Sequence, residues 1–111
     1  MVVSVIGSRT FKDFDRLKMI LDALKPTKII SGGALGADSL GEKYADDNGI
    51  EKSIHLPDWA KYNKSAGFIR NQLIIDEGEV IVACWDLKSN GTADSINKAK
   101  LQGKDIYIIY F

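Results

Sequence analysis

Two glycine-rich turns carry the residues of this chain best suited to chemistry. Gly7-Ser8-Arg9 follows the apolar run Val2 to Ile6. Ser31-Gly32-Gly33-Ala34-Leu35-Gly36-Ala37-Asp38 follows Lys28-Ile29-Ile30 and leads into a helical pattern. Glycine permits positive φ and lets a ligand come close to the backbone. A helix starting directly behind such a turn offers free N–H groups and the positive end of its dipole, which suits an anion and above all a phosphate. Arg9 stands at the mouth of the first strand. There a guanidinium either grips phosphate with paired hydrogen bonds or is simply solvated.

The second turn is neither the strict Gly-x-Gly-x-x-Gly fingerprint nor a P-loop, since it lacks the Lys-Ser/Thr pair. Its glycines cradle a phosphate or ribose, or they serve only a tight strand-to-helix turn. Asp38 falls in the first helical turn, where it caps the helix or accepts ribose hydroxyls; a carboxylate repels phosphate, so it points to a sugar or to the scaffold. A third group is Asp58-Trp59 followed by Ala66-Gly67-Phe68-Ile69-Arg70-Asn71. Trp59 stacks on a base or anchors its loop. Arg70 and Asn71 sit early in a helix, within reach of a cleft. A fourth group is Trp85-Asp86 with Asn90-Gly91-Thr92. Thr92 suits an N-cap, and Gly91 could bring a second helix N-terminus to the same anion, with Asp94 inside that first turn. Cys84 reads as a buried strand thiol, lacking a basic neighbour. His55 is the only histidine, so a His-rich metal site is excluded, and no nucleophile elbow supports a Ser-His-Asp triad. No metal or cofactor is expected.

These groups need a scaffold that gathers them. Five apolar runs supply strands at Val2–Ile6, Lys28–Ser31, Lys52–Leu56, Val80–Trp85 and Asp105–Tyr110, and helical spacing fills the intervals. The first helix carries Phe14, Leu17, Ile20, Leu21 and Leu24 with Asp13 as N-cap, and Pro26 stops it. The second, near Gly36 to Asn48, buries Leu40, Tyr44 and Ala45. The third, near Ser65 to Glu77, buries Ala66, Ile69, Leu73 and Ile74. The fourth begins near Gly91-Thr92 and carries Ile96 and Ala99. This alternation predicts an α/β fold, an open doubly wound parallel sheet with helices on both faces, Rossmann-like, in the order 3-2-1-4-5. Ligands of such sheets bind beyond the carboxyl ends of the strands at the switch point, here between strands one and four. All four groups lie at that edge.

At 111 residues the chain suits a single domain over 1–111. Lys plus Arg and Asp plus Glu number 15 each, which argues against general nucleic-acid binding. One cysteine excludes an intrachain disulfide. No membrane span or signal peptide is read, so a cytoplasmic location is expected.

Gly7-Ser8-Arg9-Thr10-Phe11, the 31–38 stretch, Asp58-Trp59 with Ala66-Gly67-x-x-Arg70-Asn71, Trp85-Asp86 and Gly91-Thr92 together resemble the small SLOG-superfamily domains described as YspA-like or DUF2493. The resemblance spans the chain in order. It implies a nucleotide-like small-molecule partner, such as an ADP-ribose-like molecule, that is sensed or processed, and it makes a homo-oligomer plausible by analogy. The implied ligand-binding set is Gly7, Ser8, Arg9, Ser31, Gly32, Gly33, Ala34, Gly36, Ala37, Asp38, Trp59, Arg70, Asn71, Trp85, Asp86, Gly91 and Thr92. The related LOG phosphoribohydrolases carry an arginine before strand four and a Pro-Gly-Gly-x-Gly-Thr-x-Glu-Glu loop after it. By that resemblance Arg70 and Asp94 are the candidate catalytic pair for hydrolysis of a nucleoside 5′-monophosphate. However, Pro-Gly-Gly is absent and Ser95 replaces the second Glu. A third expectation, single-stranded DNA binding, comes from the similarity of the 31–38 stretch to a Ser-Gly-x-Ala-x-Gly-Ile-Asp stretch in DprA.

Overall fold

The computed structural model describes residues 1–111. Strands β1 (Val2–Gly7), β2 (Lys28–Ser31), β3 (Glu51–Ile54), β4 (Val80–Trp85) and β5 (Asp105–Tyr110) alternate with helices α1 (Phe14–Leu24), α2 (Ala37–Asp47), α3 (Trp59–Tyr62), α4 (Ala66–Glu77) and α5 (Asn90–Leu101). All pairings are parallel, in the order β3-β2-β1-β4-β5. Crossovers to both sides of β1 leave a gap beyond the carboxyl ends of β1 and β4, as the sequence predicts.

Each sheet face carries its own core. Val3, Val5, Val80 and Val82 pack with Leu17, Leu21, Tyr44 and Ala45, which seats α1 and α2. Ile6, Ile30, Ile81 and Ala83 pack with Ile74, Ile75, Ile96 and Ala99, which seats α4 and α5. The central strands β1 and β4 are thus buried on both sides, the reason they read as continuous β-branched runs. The edge strand β3 is different. Glu51, Lys52 and Ile54 are exposed, so the strand is covered less fully than a doubly packed sheet implies, and it begins one residue earlier than expected.

Helix ends follow local chemistry. The Asp13 carboxylate accepts the N–H of Arg16 and starts α1. Lys25 closes it in the left-handed conformation ahead of Pro26. Asp58 caps a short helix, α3, that the polar composition of its segment did not suggest; its carboxylate accepts the N–H of Lys61 at 3.1 Å. The N-cap of α5 is Ser89 and not Thr92, its Oγ accepting the Thr92 N–H.

One expected core residue is misplaced. Leu73 is 46% exposed, whereas Ile74 and Ile75 are buried. The inward row of α4 runs Ala66, Arg70, Ile74, at four-residue spacing, and it turns Leu73 outward. Arg70 therefore occupies a core-facing row at the level where the strands end. Ile74→Ala should cost about 2–5 kcal/mol of unfolding free energy. Leu73→Ala should stay within about 1 kcal/mol of the parent. Chemical denaturation of both variants checks the orientation of α4.

Candidate functional site

A cleft of about 220 Å³ opens at the gap between β1 and β4. Ile6, Gly7 and Arg9 line it from β1, Ala34 and Asp38 from the β2–α2 turn, Arg70, Asn71 and Ile74 from α4, and Ser89, Gly91, Thr92 and Ser95 from the start of α5. Its only apolar members are Ile6, Ala34 and Ile74, so it suits a polar, charged guest.

The β2–α2 turn is built around a buried carboxylate. Asp38 Oδ2 accepts the N–H of Gly32 at 2.8 Å and of Ala34 at 3.4 Å. From α4, Arg70 Nη1 donates to the Gly32 carbonyl at 2.7 Å, and its Nε donates to Asn71 Oδ1 at 2.9 Å. A side chain at position 32 would displace one of these partners: a Cβ there would lie 2.6 Å from Arg70 Nη1 and 2.9 Å from Asp38 Oδ2. Gly36, with φ at +78°, lies so close to the backbone of Ser8 and Arg9 that a Cβ would collide with it.

Asp38 is 5% exposed. Burial raises its pKa to about 6, against the lowering effect of the Gly32 and Ala34 N–H groups and of Arg70; Glu42 adds to the rise. The Glu42 carboxylate itself accepts the Ser31 hydroxyl at 2.6 Å. Neither Arg9 nor Arg70 joins any ion pair with a carboxylate. Arg9 is exposed at the rim and hydrogen-bonds to nothing in the chain. Two guanidinium groups thus converge on the cleft beside one carboxylate of raised pKa.

The first turn of α5 completes the wall. The Asp86 carboxylate accepts the N–H groups of Lys88 and Ser89, each at 2.9 Å, which holds its pKa below the usual range. The N–H groups of Asn90 and Gly91 have no acceptor in the chain and stand at the positive end of α5.

The structure gathers Gly7, Arg9, Ala34, Asp38, Arg70, Asn71, Gly91 and Thr92 around the cleft. Other expected ligand residues are consumed by scaffolding. Ser8 donates its N–H to the Cys84 carbonyl and accepts at its own carbonyl from Phe11 and Ala37. The Gly32 N–H is taken by Asp38, so it is not free for a phosphate. Gly33 faces Ile54 and Leu56 rather than the cleft. Trp85 donates its indole N–H to the Ser89 carbonyl and lies against Tyr110. Ser31, Gly36, Ala37, Trp59 and Asp86 also stay outside the lining.

Asp94 does not line the cleft either. Its Oδ2 lies 2.7 Å from Lys98 Nζ, paired by charge rather than by a well-aligned hydrogen bond. One residue along a helix is a rotation of about 100°, and that step brings Ser95 to the cleft instead. Ile6, Ile74, Ser89 and Ser95 are lining residues that sequence reasoning missed. Of these only Ser89 carried a signal, its spacing of three before Thr92 matching an N-cap.

A model of the YspA, cpYpsA-related SLOG family matches residues 1–62, from β1 through α3 and more than half of the chain. The chain belongs to this family. A relative, the Gene 61 protein of Mycobacterium phage D29, is 27% identical over 112 residues, covering 91% of this chain and 90% of the phage protein. The segment matched to the SLOG family supplies Gly7, Arg9, Ala34 and Asp38; the α4 and α5 contributions lie beyond it.

Two outcomes test this geometry. Gly32→Ala should destabilise by roughly 1–3 kcal/mol, because Arg70 or Asp38 must give up its hold on the turn. Since the folded Asp38 pKa is raised to about 6, this group favours the fold fully below pH 4 and loses that contribution as pH rises through 6. Thermal melts from pH 4 to 7 should show Asp38→Asn without this decline, a difference of at most roughly 3 kcal/mol. Parallel pH profiles would contradict it.

Proposed function

We propose that the cleft binds the phosphate-bearing end of a nucleotide or nucleotide-derived small molecule. The observation that carries this is the convergence of Arg9 and Arg70, both without a carboxylate partner, on a cleft that also presents the open first turn of α5. In this reading the guanidinium groups neutralise the phosphate and the Gly91 N–H donates to it. Thr92 and the Asn71 amide add neutral hydrogen bonds. Asp38, with Oδ2 committed to the turn, offers its other oxygen to a ribose hydroxyl. Membership of the SLOG family supports the nucleotide class.

The proposed activity is binding. The LOG-like pairing of Arg70 with Asp94 is disfavoured, because Asp94 lies outside the cleft lining and is paired with Lys98. A DprA-like grip on single strands is disfavoured by the zero net charge. A cytoplasmic site of action belongs to this proposal. No helix is long and apolar enough to cross a membrane.

The test is calorimetric titration with nucleoside monophosphates and ribose 5-phosphate. Arg9→Ala should weaken binding roughly tenfold or more, the loss expected for a hydrogen bond to a charged group. It should leave the melting temperature unchanged, because Arg9 holds nothing in the chain. Arg70→Ala should lose both affinity and stability, because it also holds the Gly32 carbonyl. Undiminished binding by Arg9→Ala, or no binding of any phosphorylated ligand by the parent, would place the site elsewhere.

A further inference from the structure

We infer that Trp59 is a stacking platform for a nucleobase at the cleft mouth, so that the site takes intact nucleotides in preference to bare sugar phosphates. The inference rests on the reading of the cleft as a phosphate site and names what the remainder of the ligand meets.

The cleft is too small to enclose a whole nucleotide and offers a base no aromatic wall. Its volume of about 220 Å³ falls below the ~300–1,000 Å³ of pockets that enclose whole drug-sized ligands, and no aromatic side chain lines it. A nucleotide whose phosphate meets Arg9 and Arg70 must leave its base outside, on the surface next to the mouth.

Trp59 lies on that surface. It is the first residue of α3 and is 58% exposed. The far edge of its ring, at Cη2, reaches α4 beside Gly67, 3.8 Å from where a Cβ would stand. Gly67, Arg70 and Asn71 form one stripe of α4, at spacings of three and four. The ring edge therefore rests about one helical turn, ~5.4 Å, along α4 from two residues that line the cleft.

Trp59 is also the aromatic at this edge whose ring is unengaged. Lys61 covers Tyr62 at 5.1 Å, and Lys98 covers Phe68 at 5.6 Å. Trp85 lies against Tyr110, with its N–H given to Ser89. Trp59 has no aromatic or cationic partner, and its indole N–H has no acceptor in the chain. An uncovered indole, positioned by the Asp58 cap and the absence of a side chain at Gly67, gives a base a π-face and one donor. Stacking tolerates every base, so this subsite separates nucleotides from sugar phosphates far more than one base from another.

The experiment titrates the full chain with the four common nucleoside 5′-monophosphates, with ribose 5-phosphate and with a single-stranded oligothymidine, following heat and tryptophan fluorescence. The expected result has at least one monophosphate binding about fivefold or more tightly than ribose 5-phosphate, the lower end of what base–aromatic stacking gives. It should also quench fluorescence. Trp59→Ala should erase that advantage and leave the ribose 5-phosphate affinity unchanged, while Trp59→Phe retains part of it and Trp85→Phe retains the quench. If ribose 5-phosphate binds as well as every monophosphate, or if Trp59→Ala keeps the advantage, the platform is overturned and the phosphate cleft stands. If no phosphorylated compound binds, both readings fail. Tighter, salt-sensitive binding of the oligothymidine than of any monophosphate would replace the free nucleotide with a nucleic-acid strand.

Discussion

The peptide of Gly32 is gripped from both sides, its N–H by the Asp38 carboxylate and its carbonyl by the Arg70 guanidinium. One residue thereby ties the β2–α2 turn to α4, across the opening where a ligand would enter. The arrangement requires glycine, because a Cβ would occupy the space of both partners. It also explains how an arginine stays on a core-facing row of α4 without a direct salt bridge. A backbone carbonyl orients the guanidinium at the wall of the cleft, where its charge acts on the neighbouring Asp38 carboxylate. Asp38 bears the cost: burial raises its pKa to about 6 even with two N–H groups directed at it.

Most of the scaffold was legible in the residues. Continuous β-branched runs at Val2–Ile6 and Val80–Trp85 could only be strands covered on both faces, and Asp13 and Pro26 bracketed α1 by local chemistry. The order of the strands followed from the crossover rules, and a cleft lies beyond the carboxyl ends of β1 and β4. Where the reading failed, tertiary geometry decided. Leu73 fits an apolar stripe as well as Ile75 does, and only packing against the sheet selects between them. A four-residue helix such as α3 has too few turns for a periodic signal.

The site divided along similar lines. Gly7, Arg9, Asp38, Arg70 and Gly91 reach the cleft because strand ends and helix starts at a switch point have few other places to go. Ser8, Ser31 and Asp86 have the same composition and the same neighbourhood, yet their hydrogen bonds hold turns together. Sequence does not tell a polar residue that shapes a loop from one that faces a guest, because both satisfy backbone groups in similar ways. Analogy of position misled at Asp94: counting residues along a motif ignores the rotation of the helix that bears them.

The cleft draws Arg9, Asp38, Arg70 and Gly91 from four separate crossings of the sheet. No contiguous stretch of the chain contains more than a fragment of it, and the segment matched by the family ends before α4 begins. Contacts of such long sequence separation are costly in loop-closure entropy, and the complete cleft requires β1 paired with both β2 and β4. A guest that needs all four residues would therefore bind the completely folded chain. Occupancy would then act on the whole cooperative unit at once, lowering the population of the globally open form that proteases attack.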